Sequence, residues 1–66
     1  MTFNETISWM NEQRPSALYH IWQDYADGTR GYSTSCDSLR NARGVASRLP
    51  GGTIYDRDGN DVEAAQ

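Results

Sequence analysis

The chain has 66 residues, 36% of them hydrophobic, with nine acidic and six basic side chains giving a net charge of −3. A chain this short buries only about 60% of the surface its unfolded form exposes, so one domain with a modest core is expected. Its one cysteine, Cys36, excludes an internal disulfide, and Cys36 with the one histidine, His20, is too small a set for structural zinc. The opening residues lack the basic stretch and apolar run of a secretion signal, and no apolar run approaches the ~20 residues of a membrane span. A free thiol suits the cytosol, which is the expected compartment. Small domains without such staples gain stability from a partner, here either a target protein or a second copy of the chain.

Taken in chain order, Thr2-Phe3-Asn4-Glu5 reads as a capping box that opens a helix. Phe3, Ile7 and Met10 form one helical stripe, and Pro15 ends the segment, which predicts a helix over 3–13. The stretch 17–25 is rich in aromatic and β-branched residues. Leu18, His20 and Trp22 alternate with Tyr19, Ile21 and Tyr25, so both faces carry apolar groups and the strand is expected to be central or covered twice. Asp27-Gly28 predicts a type I′ turn and a hairpin over 17–34, with Gly31 marking a close approach or a bulge.

Ser35 is the expected N-cap of a second helix over 36–49, with Asp37 in its first turn. Leu39, Ala42, Ala46 and Leu49, with Val45 beside them, form a narrow stripe suited to lying on a sheet, and Pro50-Gly51-Gly52 ends the helix. Thr53–Asp56, a second I′ turn at Asp58-Gly59 and a strand over 61–64 form a second hairpin, and 65–66 are expected to fray. The fold class that follows is α+β: two β-hairpins in a small antiparallel sheet with helices packed on it, in the order α-ββ-α-ββ.

No catalytic constellation accompanies these elements. A lone His20 among apolar strand residues reads as a sheet residue rather than a base, and Cys36 near a helix start would have a lowered pKa but lacks a matching base. Asp56-x-Asp58-x-Asn60 copies the first ligands of a calcium loop, yet Asp61 stands where that loop needs glycine, so a polar turn is expected and no metal or other cofactor. The charge map says more than the total. Residues 26–52 are +2, between flanks of −2 (1–25) and −3 (53–66). All six basic residues are arginine, which favours bidentate interface contacts. Aromatic rings at Tyr19, Trp22, Tyr25 and Tyr32 beside those arginines would suit single-stranded nucleic acid. The acidic total and the absence of lysine oppose that reading, because phosphate neutralisation carries most of such affinity. Nine acids offset by six arginines make an equally poor nucleic-acid mimic.

Between Tyr19 and Thr53 the chain resembles small type I-F anti-CRISPR proteins. The residues that carry the likeness are Gly28-Thr29 at the hairpin, Ser38-Leu39 and Ala42 in the second helix, Val45-Ala46-Ser47-Arg48, and Gly52-Thr53. The resemblance implies an antiparallel sheet crossed by a helix whose basic residues bind backbone subunits of a CRISPR surveillance complex, obstructing the pairing of guide RNA with target DNA. Arg43 and Arg48 match such basic positions. Gly44 replaces a basic residue of the family, the first helix is additional, and Gly51-Gly52 shortens the link to the next strand.

The expected function is therefore that of a small phage- or prophage-type inhibitor that binds a CRISPR effector (Cas) subunit and blocks target binding sterically, without catalysis. Arg40, Arg43 and Arg48, assisted by Arg30, Trp22 and Tyr32, are the expected partner-binding residues. The alternatives are a nucleic-acid-binding or regulatory accessory domain and a homodimeric structural phage protein.

Overall fold

A computed structural model describes residues 2–63. Their elements are α1 (Phe3–Gln13), β1 (Tyr19–Asp24), β2 (Arg30–Cys36), α2 (Leu39–Ala46) and β3 (Thr53–Asp56). The strands form one antiparallel sheet in the order β2-β1-β3. This is an α+β fold, with a helix on each face of the sheet.

α1 begins as its capping box dictates. Thr2 Oγ1 accepts from Glu5 N at 3.2 Å, and Glu5 Oε1 accepts from Thr2 N at 3.1 Å. Its stripe meets the face that carries His20 and Trp22. Ile7 and Met10 are buried, and the Phe3 ring lies 5.1 Å from Trp22 and 4.7 Å from Tyr55, centroid to centroid. On the opposite face Ile21 and Ile54 pack with Ala42 of α2, joined by Tyr19, Leu39, Val45, Leu49 and Val62. Ala42 has no exposed surface, which is why the α2 stripe is built from small residues: they let the helix axis approach the strands. β1 is thus central and covered on both faces, as its doubly apolar alternation requires.

Three expectations are corrected and one, at Gly31, is narrowed. Both turns are type I followed by a left-handed glycine, not type I′. Gly28 N donates to Tyr25 O and Tyr25 N to Thr29 O, and the same pair recurs as Gly59 N to Asp56 O and Asp56 N to Asn60 O. Positive φ occurs at Gly28 (88°) and Gly59 (85°) but at no non-glycine among the described residues. A non-glycine residue escapes the left-handed region this way, because only the bulge position needs it.

The second correction concerns α2, which runs over 39–46 with Ser38 as N-cap and Asp37 outside it. β2 instead extends to Cys36, opposite Tyr19, and this ladder outcompetes a helix start at Ser35. The helix end tightens into i→i+3 bonds, Arg48 N to Val45 O and Leu49 N to Ala46 O, four residues before Pro50. Third, of the two readings at Gly31 the close approach holds, to the Tyr25 ring, while the bulge falls at Ser33: the register passes from Ile21 opposite Thr34 to Trp22 opposite Tyr32. Fourth, the second hairpin stops short of a fourth strand. Among the described residues, a bridge between Tyr55 and Asp61 and a bond from Val62 N to Ile54 O mark the return of the chain beside β3. Residues 64–66, where that strand was expected to finish and the end to fray, lie outside the described residues.

Two glycines separate space from strain. A Cβ at Gly52 would run into the carbonyl of Ala46, whereas one at Gly44, on the exposed side of α2, meets nothing within 4 Å. Gly52→Ala is expected to lower stability by about 1–3 kcal/mol through backbone displacement, and Gly44→Ala to raise it by about 1 kcal/mol. Thermal melts of both variants, read by far-UV circular dichroism, check the opposite signs.

Candidate partner-binding site

The α1 face of the sheet holds a buried polar chain. Asn11 Nδ2 donates to the backbone carbonyl of Arg57 at 2.8 Å, which turns Asn11 Oδ1 toward His20 Nε2, 2.7 Å away. Nε2 therefore carries the imidazole proton, and Nδ1 accepts from Ser35 Oγ at 2.7 Å. Ser35 in turn accepts from the Tyr32 hydroxyl at 2.8 Å. The bulge at Ser33 makes this possible, since it puts residues 32 and 35 on one face of the strand. The Arg57 guanidinium donates to the carbonyls of Ala17 (2.6 Å), Pro15 (3.3 Å) and Arg14 (3.4 Å), tying the second hairpin to the end of α1.

His20 has no exposed surface. Burial pushes its pKa below the ordinary histidine range, and the nearby positive charge of Arg57 pushes it further the same way. A Ser–His pair does exist here, but its third member is a neutral amide and the charge acting on it, that of Arg57, is positive. Both features oppose the imidazolium that a general base must become.

Trp22 and Tyr32 belong to this same packing. Trp22 is 7% exposed and meets Tyr32 and Tyr55 edge-on, at 5.4 Å in each case. Tyr32 is half-buried, its hydroxyl engaged by Ser35. The structure thus places Trp22 in the interior and Tyr32 partly buried against it, with its hydroxyl already engaged. The exposed large apolar side chains are instead Phe3, Trp9, Leu18 and Tyr25, with Trp9 and Leu18 about half exposed.

The predicted arginines do not share one face. Arg43 turns toward the C-terminal segment, its Nε 2.8 Å from Glu63 Oε1, a bond that raises its pKa. Arg30 lies 3.8 Å from Asp24 and donates to Gly51 O at 3.1 Å. Arg40 on α2 and Arg48 just past its end are exposed, with Gly44 between them, and their guanidinium groups make no hydrogen bond or ion pair among the described residues. They line an open groove of about 850 Å³ together with Arg14, Thr34, Ser35 and Cys36. The guanidinium of Arg14, which composition alone assigned to an acidic flank, is likewise unpaired among the described residues. Its place in the groove was invisible in sequence because Thr34–Cys36 of β2 lie 20 to 22 positions away along the chain and only the fold brings them beside it.

Two further candidates take bland roles. Cys36 ends β2 instead of starting a helix, and burial together with the Asp37 charge pushes its thiol pKa up, not down. Asp56 Oδ1 accepts from the backbone N–H groups of Asp58 and Asn60, both at 2.9 Å, so it builds the turn. No helix among the described residues is long and apolar enough to cross a membrane. Comparison of the chain with protein-family models, with curated proteins and with solved structures finds no match.

Proposed function

We propose that this chain is a small, non-catalytic binding protein that docks an acidic protein surface into the groove beside α2, with Arg40 and Arg48 as its charged contacts. The observation that carries the reading is their pairing state: of the four arginines in the middle of the sequence, these two are exposed and uncommitted, and they share one groove. Arginines held free beside a concave surface suit bidentate recognition of carboxylates, at a cost in ordering that the fold does not recover internally.

The resemblance over residues 19–53 makes a CRISPR effector subunit the first partner to test, with steric occlusion of target nucleic acid as the mode of inhibition. The burial of Trp22 and its edge-on packing with the half-buried Tyr32 weigh against a stacking platform for nucleic acid, which would need their ring faces exposed.

Arg40→Glu/Arg48→Glu is expected to weaken binding to the effector at least ~100-fold, about tenfold per charge-assisted contact. Arg43→Ala should leave it within about threefold, since that side chain is already paired with Glu63. Co-purification with type I and type II effector complexes, followed by competition against target DNA, checks both. Absence of any complex removes the CRISPR assignment, and equal binding by the double variant removes the groove.

A further inference from the structure

We propose that the groove receives its partner as an added β-strand: an extended acidic segment that pairs with the free edge of β2 over residues 34–36. This deepens the reading above and rests on it. The two edges of the sheet are not equivalent. The outer side of β3 is shielded by the chain's own return, through the Tyr55–Asp61 bridge and the Val62 N to Ile54 O bond. Among the described residues β2 has β1 as its single strand neighbour, so its other side carries main-chain groups without ladder partners there.

The groove coincides with that open side. It touches the end of α1 on one face of the sheet, α2 on the other, and Thr34–Cys36 of β2 between them, but no residue of β1 or β3. A groove in contact with both helical layers and only the outermost strand must run along the edge of that strand. The N-terminal half of β2 is closed to an added strand in a different way. The Tyr25 hydroxyl donates to Tyr32 O at 2.6 Å, and the Ser33 bulge interrupts the ladder. The open edge is therefore short, which keeps it from indiscriminate pairing.

Charge selects the occupant. Arg14 stands on the α1 side, Arg40 and Arg48 on the α2 side, and Asp37 is the one carboxylate in the lining. Side chains of an added strand alternate between the two faces, so acidic residues of both parities would meet a guanidinium. A second copy of this chain paired through the same edge would bring these arginines toward one another, which like-charge repulsion opposes.

The test uses the full chain and the capped hexapeptide Val-Glu-Glu-Val-Glu-Val, which places two carboxylates on one face and one on the other. Backbone amide shifts are followed by heteronuclear NMR. The expected result is saturable shifts centred on residues 34–37 at up to millimolar peptide. Two analogues carry N-methyl groups on alternate amides, in the two opposite phases. One phase should bind roughly tenfold or more weakly and the other close to the parent, because only one phase directs its N–H groups at β2. Equal binding by both analogues, weakened about tenfold by Arg40→Glu, overturns strand addition while leaving the basic docking groove intact. Binding unaffected by Arg40→Glu and Arg48→Glu overturns both readings. Absence of shifts at residues 34–37, tighter binding of an oligothymidylate at the same residues, or self-association that broadens them without peptide overturns the added acidic strand.

Discussion

Trp22→Ala is expected to remove a third or more of the domain's stability and to bring it close to unfolding at room temperature. The indole is 7% exposed and joins Phe3, Tyr32 and Tyr55 into one aromatic cluster between α1 and the sheet. Truncating a buried aromatic to alanine costs about 3–5 kcal/mol. At ~0.05–0.15 kcal/mol per residue a domain of this size holds only about 3–10 kcal/mol in total. Trp22→Phe, which keeps most of the buried area and the edge-on contacts, should retain the fold with a loss of about 1–2 kcal/mol. Urea unfolding followed by far-UV circular dichroism separates the two. A Trp22→Ala variant with the native midpoint would mean that the ring is a surface group after all.

The second large effect is electrostatic. Unfolded His20 titrates near the ordinary value of about 6.5. In the fold, burial and Arg57 hold its pKa lower. Between those two values the unfolded chain binds a proton that the folded chain does not, so lowering the pH favours unfolding. This stabilisation is complete above pH ~6.5 and is lost as the pH falls through the folded value. The carboxylates Glu5 and Asp27, lowered by their bonds to Thr2 and Thr29, add their own losses only near pH ~4 and below. A fall in the urea midpoint between about pH 7 and 5 therefore belongs to His20.

Ser35→Ala removes the donor to Nδ1 and strands a buried acceptor, which should cost about 1–3 kcal/mol at neutral pH. NMR of the imidazole provides an independent check, with the proton on Nε2 and a titration midpoint below the usual range. A proton on Nδ1, or a midpoint above the usual range, would contradict the hydrogen-bond order that Asn11 and Arg57 impose.

The α1 capping box, the doubly covered β1 and the small-residue stripe of α2 were legible in sequence because each is local. A cap spans four residues, and a periodicity reports which faces of an element are apolar. The turns were legible as places but not as types. Asp-Gly is compatible with a type I′ turn and equally with a type I turn followed by a left-handed glycine, and the strand register chooses between them. The start of α2 was misplaced for a related reason: Ser35 and Ser38 are both competent caps, and the partner that claims Ser35 is a histidine 15 positions away.

Sequence by itself determined the α+β class, two helices and three strands in their order, the amphipathic faces and a basic middle between acidic flanks, but not the bounds of α2 or the absence of a fourth strand among the described residues. Tertiary structure alone decided which of those charges remain available. Glu63 and Gly51 reach Arg43 and Arg30, while Arg14, Arg40 and Arg48 line one groove with Thr34–Cys36 of β2. It also decided that Trp22 is core and that His20, Ser35, Tyr32 and Asn11 form one buried chain of hydrogen bonds. The physical reason is range: helix caps and periodicity act over a few residues, whereas ion pairing and burial depend on groups that only the folded sheet brings within a few ångströms of each other.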